Sequence, residues 1–444
     1  MAPPLIGDVT GRSLLLTIMA GKASEDSEED ISVYLDYKWK LSVAQIVVNI
    51  PTNYRTNTSF KVCRGGLDIS NGTLHTEINF KGLRLVPPSC HSMQWTRPGE
   101  LQMRIQAYKK DHGEKNRRRE RILSGDFEES TSSNGTSLGS SGSDNDFENI
   151  STPSVKMEAT CPIPKNVDIS MQCSMCGELF VKSQRFSRIL PLPTDNWQDL
   201  TDSWFCCQRD HDSQSNAHQP LVPKDGDCLY SDLCIVLHQS ALYMPGVGTS
   251  RSGTLNCFRC RNILGELKKR AESESLESSH VVLYRYQMII ENSSLISSTV
   301  DKQLWLHDFE LGISNMLLRQ AEEHNSFRFI IEISPSAKSP FLLMWLMDTN
   351  SVRYEGRVNF TEDQKEVLTP ESVAKVMYKD CLKDNGLANR WRKDLGAMSM
   401  SLPESQCIQL LHLLTNRSQM IPLSLRVAND FLISYLETSI PCPL

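Results

Sequence analysis

Two cysteine pairs carry the most specific chemistry in this chain, Cys173-Ser-Met-Cys176 and Cys257-Phe-Arg-Cys260. Each is a Cys-x-x-Cys, and two intervening residues let a tight turn aim both sulfurs at one tetrahedral ion. Gly177 follows the second sulfur and suits the left-handed bend of a zinc knuckle. Gly265-Glu266, after Cys260, reads as a delayed echo of Gly177-Glu178. Facing each other, the two knuckles make a four-thiolate site with Cys173, Cys176, Cys257 and Cys260 as ligands. A site closed by protein ligands alone is structural. The long insertion between the pairs is tolerable because loop-closure cost grows only with the logarithm of length. The alternatives are a redox pair and buried free thiols. A redox pair belongs at a helix start within a βαβ unit, and neither pair has that setting.

Other cysteines invite chemistry. Trp204-Phe-Cys206-Cys207 lies between the pairs, with His211 and His218 after it. Adjacent side chains diverge, so Cys206 and Cys207 do not readily share an ion. The segment reads as a second metal site with a histidine, as a thiolate offered to a partner's metal, or as a packed Trp–Cys loop. Further on, Leu402-Pro403-Glu404-Ser405-Gln406-Cys407 enters an amphipathic helix that Ser405 is placed to cap. Cys407 there could be a nucleophile for acyl transfer if exposed and acidified. It also shares a helical face with Leu410, Leu411 and Leu414, which reads as core.

The elements that must position these residues follow from hydrophobic period. From 31 to 43 the odd positions are apolar, a period of two that predicts a half-buried strand. Leu101, Met103, Ile105 and Ala107 repeat it, and Ile78/Phe80 with Leu83/Leu85 suggest a strand broken at Gly82. Residues 8–110 thus read as a β-sandwich-like unit. Residues 111–160 hold a basic run at 115–121 and then serine, glycine and acid, a composition that predicts disorder. The basic run resembles a nuclear-import signal or a solvated charge cluster. Residues 161–275 form the zinc-knuckle segment, with short elements that need a metal to hold them. Residues 278–444 read as α+β. Strands are expected at 282–290 and 327–333, helices at 306–317, 402–415 and through Val373, Met377 and Cys381. The expected fold class is therefore α+β multidomain.

Composition narrows the function. Net charge is −6 over 444 residues, so no global field draws the chain to nucleic acid. The apolar runs at 14–20 and 341–347 are too short to span a bilayer, and no signal-peptide pattern is present, so a cytosolic protein is expected. Its 14 cysteines then read as reduced thiols and metal ligands rather than disulfides. Asn-x-Ser/Thr triplets such as Asn71-Gly72-Thr73 are chance matches in that compartment. No phosphate-binding loop, nucleophile elbow or HExxH is present.

An ordered set of landmarks resembles the HECT-like ubiquitin-protein ligase family that binds a mitotic ubiquitin-conjugating enzyme. They are Leu83-Arg-Leu-Val-Pro-Pro-Ser-Cys90, Cys173-x-x-Cys176-Gly-Glu, Leu190-Pro-Leu-Pro-Thr-Asp-Asn-Trp197, Trp204 with Cys206, Asp227-Cys228, Cys257-x-x-Cys260 with Leu264-Gly-Glu266, and Phe327-Arg-Phe329. The resemblance implies transfer of ubiquitin from a conjugating enzyme, bound through about 290–314, to substrate lysines for proteasomal degradation. It makes Cys407 the candidate catalytic residue, since Leu402-Pro403…Cys407 is similar to the Leu-Pro…Thr-Cys loop of HECT enzymes. Gln406 stands here for the threonine and Ile408 for a phenylalanine, and the large bilobal HECT domain is absent. The stretch of Trp204, Cys206 and Cys207 resembles a motif by which inhibitory partners enter the two-zinc site of metallo-β-lactamase-fold RNA nucleases. A binding protein that inhibits a pre-mRNA cleavage endonuclease is the alternative. A cytoplasmic and also nuclear location fits either role.

Overall fold

A computed structural model describes residues 30–110, 161–192, 223–268, 279–292 and 303–442, less short breaks at 52–53, 56, 73, 98, 162, 251–252, 307, 335–339, 360–363, 382–385, 395 and 441. The loop expected at 111–160 and the Trp204 segment lie outside the described residues.

β-Strands dominate, and the α+β multidomain expectation is corrected. Among the described residues there are three α-helices: α1 (Phe309–His324), α2 (Gly386–Arg392) and α3 (Glu404–Gln419). Everything else regular is strand or short 3₁₀ turn. Val373, Met377 and Cys381 show why the sequence misled. Steps of four keep residues on one face of a helix, and also on one face of a strand, because four is even. Here they lie on or directly after the strand Glu371–Asp380, all in one core layer with Trp391 and Tyr435. The intervening Ala374, Val376 and Tyr378 fill the opposite layer. A strand buried on both faces lacks the polar alternation that would have marked it. Two long runs also break. Residues 31–43 fold as a hairpin, Asp30–Lys38 and Val43–Asn49, turning through Ser42 at φ 53°. The expected strand at 282–290 is cut by a 3₁₀ turn at Arg285–Gln287.

The spine is the 20-residue strand Pro340–Asn359. Its first half pairs with Arg328–Ser334 on one side, while Glu371–Asp380 runs along the other side from Leu342 to Arg353. Its second half pairs with Asp30–Lys38, matching Leu35 to Tyr354. One 11-stranded sheet therefore carries both the N-terminal strands and the C-terminal ones. Helices α1 and α3 cover one face through Phe309, Ile313, Leu317, Leu410 and Leu414, and α2 sits on the other through Ala388 and Trp391. At the N-terminal end, Ile31, Val33 and Leu35 pack with Leu67, Ile69 and Ile78 of a separate 4-stranded sheet. That sheet is itself completed by the C-terminal strand Gln364–Leu368, paired in parallel with Leu74–Phe80.

A buried ion pair stitches the two ends of the chain. Lys375 Nζ lies 2.8 Å from Asp36 Oδ2 across 339 residues, and Tyr435 Oη donates to the same oxygen at 3.0 Å across 399. Asp36 is 1 % exposed. Removing one partner of such a pair strands a charge in the interior. Lys375→Met should therefore destabilise the protein by about 3 kcal/mol, and Asp36→Asn with Lys375→Met should recover much of that loss. Urea unfolding midpoints of the two variants check both outcomes.

Candidate functional site

Two hairpin loops present the four cysteines in matching geometry. The first joins strands Asp168–Cys173 and Leu179–Arg185, and the second joins Thr254–Cys257 and Ile263–Lys268. In each loop the fifth residue takes the left-handed conformation, Gly177 at φ 74° and Arg261 at φ 65°. Its N–H donates to the carbonyl of the first cysteine, at 2.9 Å from Gly177 to Cys173 and 3.0 Å from Arg261 to Cys257. The first cysteine's own N–H returns to the sixth residue, Cys173 to Glu178 at 2.9 Å and Cys257 to Asn262 at 2.8 Å. Both pairs of sulfurs are thereby turned the same way. The expected echo at Gly265-Glu266 is displaced. The true counterparts of Gly177-Glu178 are Arg261-Asn262, and Gly265 lies in the following strand with Val282 O 2.0 Å from where its Cβ would stand.

The loops meet face to face. Cys173 and Cys260 sulfurs are 3.6 Å apart, Cys176 and Cys257 sulfurs 3.5 Å, and all four lie within 4.8 Å of one another. A tetrahedral ion with Zn–S bonds of about 2.3 Å spaces its sulfurs about 3.8 Å apart. The residues therefore fit a metal ion and are compatible with zinc. A hydrogen bond from the Asn262 backbone brings the Cys260 thiol down to about 7, while burial pushes Cys176 up to about 12. Asn262 is the residue sequence reasoning missed. Its Nδ2 reaches Cys173 Sγ at 3.7 Å and Gln287 Oε1 at 2.6 Å, tying the cluster to the 3₁₀ turn. A lone Asn has no spacing rule that would have flagged it.

That turn leads to α1 and α3. Tyr286 packs edge-on against Phe309 at 4.8 Å and hydrogen-bonds Gln406. Leu402, Pro403 and Gln406 line a cleft of about 200 Å³ with Asp232, Tyr284 and Arg319. Cys407, next to Gln406, does not open into it. Its sulfur is fully buried against the carbonyls of Leu402 at 3.6 Å and Glu332 at 3.9 Å. Burial, with Glu404 second, pushes its thiol up to about 12. Pro403, not Ser405, is the N-cap of α3, and no side chain caps it. Trp204, Cys206, Cys207, His211 and His218 lie outside the described residues.

The family described as HECT-like ubiquitin-conjugating enzyme (E2)-binding matches residues 36–433. The chain belongs to that family. It is similar to a Homo sapiens protein named as an E3 ubiquitin-protein ligase, 23% identical over 443 residues that cover 93% of this chain and 99% of that protein. The Pongo abelii protein of the same name is 24% identical over 437 residues, covering 91% and 97%. The Bos taurus protein is 27% identical over 296 residues, covering 60% of this chain and 72% of that one. No solved structure matches. Among the described residues, no helix is long and apolar enough to cross a membrane.

Elemental analysis of the purified chain should find about one zinc, as four thiolates bind one ion. Cys173→Ser with Cys260→Ser should reduce it to background and unfold the knuckle segment. Acidification should also release the ion, because protonating a thiolate removes a ligand. Full retention by the double variant would refute the site.

Proposed function

We propose that this chain is a ubiquitin-protein ligase that recruits a ubiquitin-conjugating enzyme and directs ubiquitin to substrate lysines for proteasomal degradation. The family match over residues 36–433 carries this reading, and the relatives named as ubiquitin-protein ligases support it. In the direct form of the reaction, a substrate lysine Nζ attacks the thioester carbonyl on the conjugating enzyme. The isopeptide C–N bond forms, the C–S bond breaks, and the conjugating enzyme's thiol leaves with the proton.

The setting of Cys407 favours this direct route over a thioester on the ligase. A nucleophilic cysteine needs an accessible, acidified sulfur. Cys407 has neither, being 0 % exposed with its thiol raised. Its neighbours Leu410, Leu411 and Leu414 share its core layer. Cys407 is thus read as part of the packing that holds α3 on the sheet.

We read about 290–314 as the stretch that meets the conjugating enzyme, as the resemblance implies. That stretch starts in the strand Met288–Asn292, returns as Gln303–Leu306 and enters α1. A charging assay with purified conjugating enzyme tests the route. Substrate ubiquitylation should depend on the conjugating enzyme and survive Cys407→Ala. No reducible ubiquitin adduct should form on the ligase. Loss of transfer in a Cys407→Ala chain that still melts cooperatively and binds the conjugating enzyme would reverse the assignment.

A further inference from the structure

We propose that filling the four-cysteine cluster fixes the seating of α3, through the side chains of Asn262, Gln287, Tyr286 and Gln406. The inference rests on the metal site described above and not on ubiquitin transfer.

Gln287 holds both knuckles. Its backbone oxygen accepts the Ser174 N–H of the first knuckle at 3.0 Å. Its side-chain oxygen accepts Asn262 Nδ2 of the second at 2.6 Å. The same Asn262 amide reaches Cys173 Sγ at 3.7 Å, so a residue of the second knuckle holds a sulfur of the first. From Gln287 the contacts run outward. Tyr286 Oη is hydrogen-bonded by the side chains of Gln287 and Gln406. Gln406 lies in the first turn of α3, 2 % exposed and next to Cys407. Four side chains therefore connect a candidate ligand sulfur to the start of a helix far along the sequence.

Ligation gives this connection two states. A ligated cysteine is a thiolate, and a charged acceptor holds an N–H more firmly than a neutral thiol does. In the filled site one Nδ2 hydrogen of Asn262 is fixed on the sulfur and the other on Gln287. In the emptied site the amide is free to rotate, and Gln287 and Tyr286 lose a fixed partner. A partly satisfied network in a low-dielectric interior is costly, so the loss is felt at Gln406. Such coupling is reciprocal: what the metal does for α3, the links to α3 do for the metal.

Two measurements on the full chain test this. The first reads zinc affinity by competition with a chelator. Asn262→Ala and Gln287→Ala should each weaken it about tenfold, as loss of a group behind the ligands does. Tyr286→Phe keeps the ring against Phe309 and removes only the hydroxyl. It should still weaken zinc binding about fivefold. Tyr354→Phe, which removes a hydroxyl bonded to Lys81 O in the N-terminal core, should leave zinc affinity unchanged. The second measurement is alkylation of individual cysteines. Removing zinc should speed the reaction of Cys407 about fivefold or more. Cys381, buried in the layer under α2, should react at its former rate. Zinc affinity unmoved by Gln287→Ala and Tyr286→Phe overturns the coupling and leaves the metal site standing. Equal acceleration of Cys407 and Cys381 overturns it too, because the whole chain has then loosened. No zinc in the unaltered chain overturns the site and the coupling together.

Discussion

The pairing of Asp30–Lys38 with the second half of Pro340–Asn359 is the constraint on which the rest depends. It closes the chain on itself. The C-terminal strand supplies Val352, Tyr354 and Val358 to the N-terminal core, and that core in turn fixes the far end of the sheet carrying α1 and α3. Joining segments so distant in sequence carries a large loop-closure cost, yet one that grows slowly with length. The Asp36–Lys375–Tyr435 contact sits on this seam. A buried ion pair of this kind adds little net stability against an apolar substitute. What it does here is penalise every register that leaves Asp36 without its cation, since a one-residue slip would turn Asp36 to the opposite face.

The middle segment meets the helix-covered face of that sheet through Asp232 and Leu233, which contact Arg319 and the core around Ile313, and through one short turn. Gln287 faces the cysteine cluster through Asn262, Tyr286 faces α1 through Phe309, and the Arg285 guanidinium donates to Ser231 O. Three consecutive side chains of a 3₁₀ turn point in three directions, as that geometry requires. The cysteine cluster and the helix pair are thus mechanically adjacent although their residues are far apart in sequence. The cysteine cluster supplies rigidity where the strands are too short to supply it by burial alone.

Cys407 shows how packing decides chemistry. Its local sequence, a Leu-Pro loop ahead of a cysteine at a helix start, offers the ingredients of a low-pKa nucleophile. Its helical phase offers the opposite, and phase prevails. Leu402, Leu410 and Leu414 draw that face of α3 onto Ile331 and Met344 of the sheet. The sulfur goes with them, out of water and beside the carboxylate of Glu404, where a thiolate is disfavoured.

The sequence by itself determined what depends on short-range geometry. The four candidate ligands were legible because Cys-x-x-Cys spacing alone aims two sulfurs at one point, and helices α1 and α3 because their apolar positions follow a period that only a helix satisfies. The family was legible from landmarks kept in order along the chain. Tertiary structure alone decided what depends on partners distant in sequence. Val373, Met377 and Cys381 fit a helix and a strand equally, and only burial on both faces, against Trp391 on one and the Leu414 layer on the other, made that segment a strand. Arg261 takes the left-handed position that Gly177 holds in the first knuckle, its N–H bound to Cys257 O within its own loop. The joining of residues 30–38 to 340–359 left no local trace at all, since hydrogen-bond partners in a sheet are chosen by the fold and not by neighbours in the chain.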